Sequence, residues 1–180
     1  MKLVILDRDG VINEDSDDFI RCPDEFVPLD GSLEAIARLN QAGYRVVIAT
    51  NQSGVSRGYL DLNTLNEIHD KLHLLLSRVH GKVDGIYYCP HGPDDDCDCR
   101  KPKAGLYRQI GQDFNQPLEG VPVIGDSLRD LEAARNVGAK PILVRTGKGR
   151  RTLASKVGLE GVDVYENLAE AVDAMLKMES

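Results

Sequence analysis

Short runs of apolar residues alternate along the chain with stretches in which apolar residues recur every three or four positions. The first run, residues 2–6, ends abruptly in the polar sequence Asp7-Arg8-Asp9-Gly10. Continuous runs of this length are typical of strands buried on both faces, and a spacing of three and four indicates helices that pack by one face. The pattern predicts strands at 2–6, 44–49, 85–88, 121–124 and 141–144, and helices at 33–40, 62–79, 106–114, 131–137 and 168–176.

Strands that alternate with helices predict a doubly wound α/β fold, in which a mostly parallel sheet carries helices on both faces. A length of 180 residues suits one domain with a sizeable core. We find no internal repeat, low-complexity segment or linker, so we expect residues 1–180 to form a single domain. Residues 89–103 are the exception to the alternation, because they are polar and have no period.

Charge and hydropathy narrow the classes of function. With 22 basic and 29 acidic residues the net charge is -7, which argues against binding to nucleic acid or to an anionic membrane. No apolar stretch approaches the roughly 20 residues that span a bilayer, and we expect the N-terminus to be a core strand and not a signal peptide, which favours the cytoplasm. No coiled-coil pattern or long apolar patch is evident, so we expect a monomer. The one short basic run, residues 148–151, is expected in a solvated loop, with a loop that contacts phosphate as the alternative.

Polar residues follow three of the predicted strands. Asp7 and Asp9 follow the first, residues 50–53 follow the second, and Asp126 follows the fourth. Each segment alone could be a turn or a helix cap, but ligands of open α/β sheets bind at this end of the strands. Neighbouring carboxylates repel one another unless a cation joins them, and Mg²⁺ prefers such hard oxygen ligands. One carboxylate could then attack phosphorus while a second transfers protons.

Three of the four cysteines lie close together in the irregular segment. Cys89, His91, Cys97 and Cys99 supply the three thiolates and one imidazole of a closed tetrahedral Zn²⁺ site, which would be structural and would hold residues 89–99 in place. Chance cysteines are the alternative interpretation, and a disulfide is a weaker one in the cytoplasm.

Other potential ligands have simpler interpretations. Cys22 stands apart from the cluster and is expected to be a core or surface thiol. His69 and His73 are four residues apart on one predicted helix, but no third ligand is visible, so we interpret them as side chains on a helix face rather than as a metal site.

Taken in order, four segments resemble the motifs of the haloacid dehalogenase superfamily of phosphatases. They are Asp7-Arg8-Asp9-Gly10, Thr50-Asn51-Gln52-Ser53, Arg100-Lys101-Pro102 and Gly125-Asp126-Ser127 with Asp130. Together they extend over nearly the whole chain.

The resemblance implies a role for each matching residue. Asp7 would be the nucleophile and a Mg²⁺ ligand, and Asp9 the general acid and base, which touches the metal through its main-chain carbonyl. Thr50 and Lys101 would hold the phosphoryl oxygens, and Asp126 would complete the metal site. We expect substrate contacts from Arg100, Asn51, Gln52, Ser53, Asp15, Asp18 and Ser127.

Many members of the superfamily carry a separate cap domain, for which this chain has no room, so short loops must shape the pocket. Without a cap and with the cysteine loop, the chain is similar to the D-glycero-D-manno-heptose-1,7-bisphosphate 7-phosphatases. That similarity implies a bisphosphorylated heptose as substrate, in the route to bacterial surface polysaccharide. Arg100 favours the heptose because a second cation beside Lys101 could meet the remaining phosphate.

Three alternatives remain open, and one of them is a zinc-stabilised module that only binds partners and would not need intact carboxylates. Histidinol-phosphate phosphatases resemble the chain in the same motifs, and the acidic residues 14–18 would suit their amine-bearing substrate. A signalling receiver domain also combines acidic residues, Mg²⁺, Thr and Lys, but Asp9 argues against it because a general acid and base would remove the phosphate quickly.

Overall fold

The computed structural model describes residues 2–179 as six parallel strands and six α-helices. The strands are β1 (Lys2–Leu6), β2 (Tyr44–Asn51), β3 (Gly85–Cys89), β4 (Pro122–Gly125), β5 (Lys140–Val144) and β6 (Asp163–Tyr165). The helices are α1 (Ser32–Gln41), α2 (Leu62–Arg78), α3 (Gly105–Asp113), α4 (Leu128–Asn136), α5 (Gly149–Ser155) and α6 (Leu168–Lys177), with a short 3₁₀ helix at Pro23–Glu25.

The sheet has the strand order β3-β2-β1-β4-β5-β6. Every pair is parallel, so the carboxyl ends of all six strands meet at one edge. The chain builds outward from β1 in one direction and then returns to β4 to build in the other. This reversal places β1 and β4 side by side at the position where open α/β sheets bind ligands.

Alternate residues of the central strands enter two separate cores. Val4 and Leu6 of β1 contact the core beneath α1, α2 and α6, whereas Leu3 and Ile5 contact the core beneath α3 and α4. Because successive side chains of a strand point to opposite faces, an uninterrupted apolar run was required at β1. The predicted doubly wound, parallel and capless fold is therefore confirmed.

Two elements differ from the sequence-based expectation. Residues 148–151 were expected in a solvated loop, but helix α5 begins at Gly149. Its seven residues bury only Gly149 and Thr152, so it has no apolar stripe that a periodicity could reveal. Strand β6 was not predicted, because it has three residues at the edge of the sheet and no apolar run.

Helix α2 offers a direct test of the core. Leu72 is 0% exposed and packs against the sheet, while Leu74 on the same helix is 54% exposed. We expect Leu72→Ala to lower the free energy of unfolding by about 2–5 kcal/mol, because the cavity adds to the lost burial. The matched Leu74→Ala should change it by no more than about 0.5 kcal/mol. Urea denaturation measures both, and equal losses would contradict the assigned packing.

Candidate active site

Asp7 is the first residue after β1 and faces a cavity at the carboxyl edge of the sheet. Its main-chain N–H donates to the carbonyl of Ile124 on β4 at 3.0 Å, which fixes the turn out of the strand. Lys101 Nζ donates to Asp7 Oδ1 at 3.1 Å. Lys101 is the one side-chain donor to this carboxylate within residues 2–179, so Oδ2 is free to act on a ligand.

Lys101 is only 2% exposed and has three acceptors. Besides Asp7, its ammonium donates to Asp130 Oδ1 at 2.6 Å and to the carbonyl of Ala49 at 2.8 Å. Burial alone would lower the pKa of Lys101, but the charges of Asp130 and Asp7 outweigh burial and raise that pKa above its usual range. The side chain is therefore a fixed positive charge beside the carboxylate of Asp7.

Carboxylate oxygens of Asp7, Asp126 and Asp130 all lie within 4.8 Å of one another. Burial, and next the charge of Asp130, raise the pKa of Asp7 to about 6. Burial, and next the charges of Asp7 and Asp130, raise the pKa of Asp126 to about 9. A group of buried carboxylates that resist ionisation fits a divalent cation with hard oxygen ligands, such as Mg²⁺.

Asp130 has little capacity left for a metal. Its Oδ1 accepts from Lys101, and its Oδ2 accepts from the Ser127 hydroxyl at 3.0 Å and from the main-chain N–H groups of Asp126 and Ser127 at 3.2 Å. Asp7 and Asp126 are therefore the carboxylates that the arrangement leaves for a cation.

Two glycines let the backbone approach Asp126. A Cβ added to Gly10, whose φ is +87°, would lie 2.0 Å from Asp126 Oδ2, and one added to Gly147 would lie 2.3 Å from it. The same oxygen accepts the main-chain N–H of Lys148 at 2.9 Å. Larger residues at either position would displace the carboxylate.

Asp9 also lines the cavity and has a separate set of hydrogen-bond donors. Arg8 Nε and Asn13 Nδ2 each donate to Oδ1 at 2.9 Å, and Gln52 Nε2 donates to Oδ2 at 3.1 Å. Burial alone would raise the pKa of Asp9, but the charge of Arg8 and these hydrogen bonds outweigh burial and lower it. The expected contact of its main-chain carbonyl with a metal stays a prediction.

The cavity has a volume of about 240 Å³ and a mixed lining of charges. Six carboxylates line it, together with the buried ammonium of Lys101. Four further cations line it from more accessible positions, namely Arg57, Arg100, Arg129 and Lys148. A cavity of this size and charge suits a small, highly anionic molecule bound with a cation.

Two loops form one wall of the cavity through stacked side chains. The Phe19 ring lies 5.3 Å from the Tyr59 ring, with the Arg57 guanidinium 5.5 Å from Phe19 and that of Arg21 4.1 Å from Tyr59. Such stacks of cations and rings tie the loop of residues 14–21 to that of residues 53–60.

The residues that were expected to contact the substrate differ in their surroundings. Asn51 exchanges two hydrogen bonds with the main chain of Lys101, at 3.0 and 3.1 Å. Gln52 contacts Asp9, and the Ser127 hydroxyl donates to Asp130. The members that line the cavity are Arg100, Asn51, Gln52, Ser53, Asp15 and Ser127. Asp18 does not line the cavity; it is exposed, and its carbonyl accepts from Arg21 Nε at 2.8 Å.

Thr50 was expected to hold phosphoryl oxygens from a position after β2. It lies within β2, lines the cavity and is 1% exposed. Its hydroxyl oxygen accepts from Gln52 Nε2 at 2.9 Å, and the hydroxyl donates weakly to the Asn51 carbonyl at 3.4 Å. The role of Thr50 toward a phosphate stays a prediction.

The four expected Zn²⁺ ligands converge. Ligand atoms of Cys89, His91, Cys97 and Cys99 lie within 4.8 Å of one another. The Sγ atoms of Cys89 and Cys97 are 3.8 Å apart, and His91 Nδ1 is 3.5 Å from the first and 3.4 Å from Cys99 Sγ. Sulfur ligands about 2.3 Å from a tetrahedral Zn²⁺ are themselves about 3.8 Å apart, so the spacing fits that ion.

Strand β3 ends at Cys89, and the loop that carries the other three ligands leads directly into Arg100 and Lys101. Arg100 Nη1 donates to the carbonyl of His91 at 3.2 Å. The guanidinium of Arg100 is thus attached to the loop itself. Cys22, by contrast, is half-buried away from the cluster and donates to Glu25 at 3.7 Å.

The two histidines of α2 have different surroundings. His73 is exposed, but His69 points inward, is 6% exposed and has its Nε2 atom 3.1 Å from Arg8 Nη1. The periodicity of α2 could have indicated this, because His69 follows Ile68 and precedes Leu72 on the buried side of the helix.

Sequence reasoning gave no role to several residues that shape the site. Arg8 is fully buried against Asp9, and Asp130 anchors Lys101. A signal for Asp130 exists in the capping box that it forms with Ser127 at the start of α4. Three cavity cations, Arg57, Arg129 and Lys148, carry no motif and meet only in the folded chain.

Comparisons with known families and curated proteins find similarity over the whole chain. Residues 98–171 match the model described as HAD-hydrolase-like, and residues 2–128 match that of polynucleotide kinase 3 phosphatase. A D-glycero-beta-D-manno-heptose-1,7-bisphosphate 7-phosphatase from Bordetella bronchiseptica is 56% identical over 98% of this chain and 99% of its own length. A protein of the same name from Pseudomonas aeruginosa is 54% identical over 97% and 98% of the two chains.

Solved structures of two D,D-heptose 1,7-bisphosphate phosphatases are also similar to this chain. The crystal structure of the D,D-heptose 1,7-bisphosphate phosphatase from B. bronchiseptica, complexed with magnesium and phosphate, superposes with a TM-score of 0.97 and covers 99% of both chains at 56% identity. The phosphatase from Burkholderia thailandensis superposes with a TM-score of 0.78 at 45% identity, over 98% and 99% of the two chains. Among the described residues, no helix has the length and apolar character needed to cross a membrane.

The raised carboxylate pKa values predict how metal-free protein responds to pH. Folded Asp7 and Asp126 keep protons, with pKa values of about 6 and about 9, that the unfolded chain has already lost above a pKa of 3.8. The native state therefore binds more protons than the unfolded state, so their contribution lowers stability as pH rises from about 4 to about 9. Because Mg²⁺ binds the ionised carboxylates, it should raise the Tm more at pH 8 than at pH 6.

Thermal unfolding with and without Mg²⁺ at the two pH values measures this effect. Asp126→Asn removes the carboxylate with the higher pKa and should abolish most of the difference. A shift in Tm that is equal at both pH values in the unmodified chain would contradict the predicted linkage.

Proposed function

Since the chain belongs to the family of the D-glycero-beta-D-manno-heptose-1,7-bisphosphate 7-phosphatases, which carry the haloacid dehalogenase-like fold, we propose that it hydrolyses the 7-phosphate of that heptose bisphosphate. The observation that carries the proposal is the position of Asp7. One of its carboxylate oxygens accepts a hydrogen bond from Lys101, and the other is free in a cavity lined by both carboxylates and cations, which suits a phosphorylated molecule bound with a metal ion. The reaction would serve the route to bacterial surface polysaccharide.

In the first half of the reaction, Asp7 Oδ2 attacks phosphorus and the bond from phosphorus to the 7-oxygen of the sugar breaks. An aspartyl-phosphate forms, and Asp9 gives a proton to the departing oxygen. Because the pKa of Asp9 is lowered in the protein without substrate, Asp9 must gain that proton when the phosphorylated sugar binds. The contacts of Asp9 with Arg8, Asn13 and Gln52 support this role, because they fix the direction of a proton transfer that depends on geometry.

In the second half, Asp9 takes a proton from water while the water oxygen attacks phosphorus. Inorganic phosphate leaves and the carboxylate of Asp7 is regenerated. Lys101 and Thr50 oppose the charge that develops on the phosphoryl oxygens, as phosphoryl transfer requires. Asp7, Asp126 and the main-chain carbonyl of Asp9 would hold Mg²⁺, which when bound neutralises charge on the phosphoryl group.

The cations of the cavity favour a substrate with two anionic groups. Lys101 contacts the carboxylate that would be phosphorylated, which leaves Arg57, Arg100, Arg129 and Lys148 for a second phosphate or for sugar hydroxyls. Histidinol phosphate was the alternative because of the acidic loop, but Asp15 of that loop already lies 3.5 Å from Lys148 Nζ. The loop therefore offers less uncompensated charge to an amine than its sequence indicates.

Zn²⁺ would bind Cys89, His91, Cys97 and Cys99 as a structural ion. Burial and the neighbouring thiols raise the pKa of Cys99 to about 12, and a bound cation would relieve this crowding. Free thiols in such a cluster suit a reducing compartment, which supports a cytoplasmic location. We further propose a monomer.

Purified protein with Mg²⁺ tests the reaction and its substrate together. We expect preferential phosphate release from the heptose 1,7-bisphosphate over histidinol phosphate and other sugar phosphates. Asp7→Asn should lower kcat by more than about 10³-fold because it removes the nucleophile. Preference for histidinol phosphate would change the substrate and keep the mechanism, whereas full activity of Asp7→Asn would reject the mechanism.

The cysteine loop makes a second prediction. Cys97→Ser should lower bound zinc, the Tm and kcat together, because the loss of one ligand frees the segment that carries Arg100 and Lys101. Cys22→Ser is the matched control and should leave all three unchanged. Zinc content by mass spectrometry, thermal unfolding and phosphate release measure the effects, and a zinc-free Cys97→Ser protein with full activity would contradict the positioning role.

A further inference from the structure

A guanidinium buried beneath the cavity joins three elements of the fold. Arg8 is 0% exposed, although it lies between Asp7 and Asp9 in the sequence. Its Nε donates to Asp9 Oδ1 at 2.9 Å and its Nη2 to Gln52 Oε1 at 3.2 Å. Its Nη1 lies 3.1 Å from His69 Nε2 on α2. Each nitrogen of the fork therefore has a partner in a different part of the chain.

His69 must act as the acceptor in this contact. Arg8 has only N–H donors, so Nε2 of His69 carries the lone pair and the imidazole is neutral. Burial, and next the charge of Arg8, lower the pKa of His69 to about 3, in agreement with a neutral ring. An acceptor is needed here because a buried donor without a partner is costly.

The guanidinium controls two residues of the cavity at once. Gln52, whose Oε1 it fixes, donates through Nε2 to Asp9 Oδ2 at 3.1 Å and to Thr50 Oγ1 at 2.9 Å. Both oxygens of Asp9 are thus oriented from one guanidinium, Oδ1 directly and Oδ2 through Gln52. A rotation of Arg8 would leave Asp9 Oδ1 with the hydrogen bond from Asn13 Nδ2, and through Gln52 it would disturb the positions of Asp9 Oδ2 and Thr50.

We propose that His69 is a positioning residue of the phosphatase reaction, which holds the Arg8 guanidinium in the orientation that aligns Asp9 for proton transfer. His69 does not line the cavity and acts only through Arg8. The proposal rests on the proposed function, since it assigns Asp9 its role as acid and base. Helix α2 would therefore take part in the reaction, although its His69 lies behind Arg8 and does not reach the cavity.

The decisive comparison uses two substrates. A sugar phosphate needs protonation of its leaving oxygen, whereas p-nitrophenolate leaves without it, so only the first depends on Asp9 as an acid. We expect His69→Leu to lower kcat/KM for the heptose bisphosphate about 10- to 100-fold, the range expected for misalignment of a catalytic group. The same variant should lower kcat/KM for p-nitrophenyl phosphate by less than about threefold.

Two variants control for packing. His69→Gln places a side-chain oxygen near the position of Nε2 and should restore kcat/KM for the sugar phosphate to within about threefold of the unmodified chain. His73→Leu, one turn further along α2 and exposed, should have no effect. If His69→Leu folds poorly, His69→Asn keeps a polar group but sets its acceptor too far from Arg8, and should show the same selective loss.

Equal losses on both substrates, or no rescue by His69→Gln, would overturn the proposal and leave His69 a packing residue. Unchanged activity of His69→Leu on the sugar phosphate would overturn it as well. The ratio can be taken with any alkyl phosphate that the unmodified enzyme hydrolyses, so a wrong substrate assignment would appear in the unmodified enzyme and not in the comparison of variants.

Discussion

The buried ammonium of Lys101 is the interaction on which the geometry of the site depends. It reaches Asp7 after β1, Asp130 on α4 and the carbonyl of Ala49 on β2, and so joins three elements in one contact. Parallel strands end at one edge of the sheet, so the carboxylates that follow them lie close together there. The repulsion between these negative charges must be offset by a positive charge. Removal of one partner from such a buried group leaves uncompensated charge, which costs about 3–5 kcal/mol in other proteins.

Lys101 can hold this place only because its main chain is fixed from two sides. Asn51 at the end of β2 clamps its N–H and carbonyl, and the loop of residues 89–99 leads directly into it. The cysteine cluster and β2 therefore both position one lysine, so that a Zn²⁺ bound at the cluster would affect the proposed reaction without any contact with the substrate. An irregular loop could not supply that precision by backbone hydrogen bonds alone.

At this site, residues that belong to a local sequence pattern could be predicted, whereas residues whose positions depend on contacts between distant parts of the chain could not. Asp7, Asp126 and the cysteine cluster could be predicted, because each follows a strong strand or has a spacing typical of metal ligands. Asp18 could not be placed, because the direction of an exposed loop depends on contacts such as the stack of Phe19 and Tyr59. Helix α5 and strand β6 were missed because neither buries an apolar stripe. The contact of His69 with Arg8 could not be predicted, because the two residues are 61 positions apart in the sequence.

Asp7 and Asp9 belong to one short motif, but their surroundings shift their pKa values in opposite directions. Asp7 shares Lys101 with Asp130, and burial together with the charge of Asp130 raises the pKa of Asp7 to about 6. Asp9 accepts from the fully buried Arg8, whose charge outweighs the burial of Asp9, so the pKa of Asp9 is lowered. In the proposed mechanism the nucleophile must be ionised, so Asp7 would need a divalent cation to lose its proton as readily as Asp9 does through the protein alone. The chain would thus supply the charge for one aspartate from its own core and leave the charge for the other to a metal, which would make the attack by Asp7 dependent on Mg²⁺.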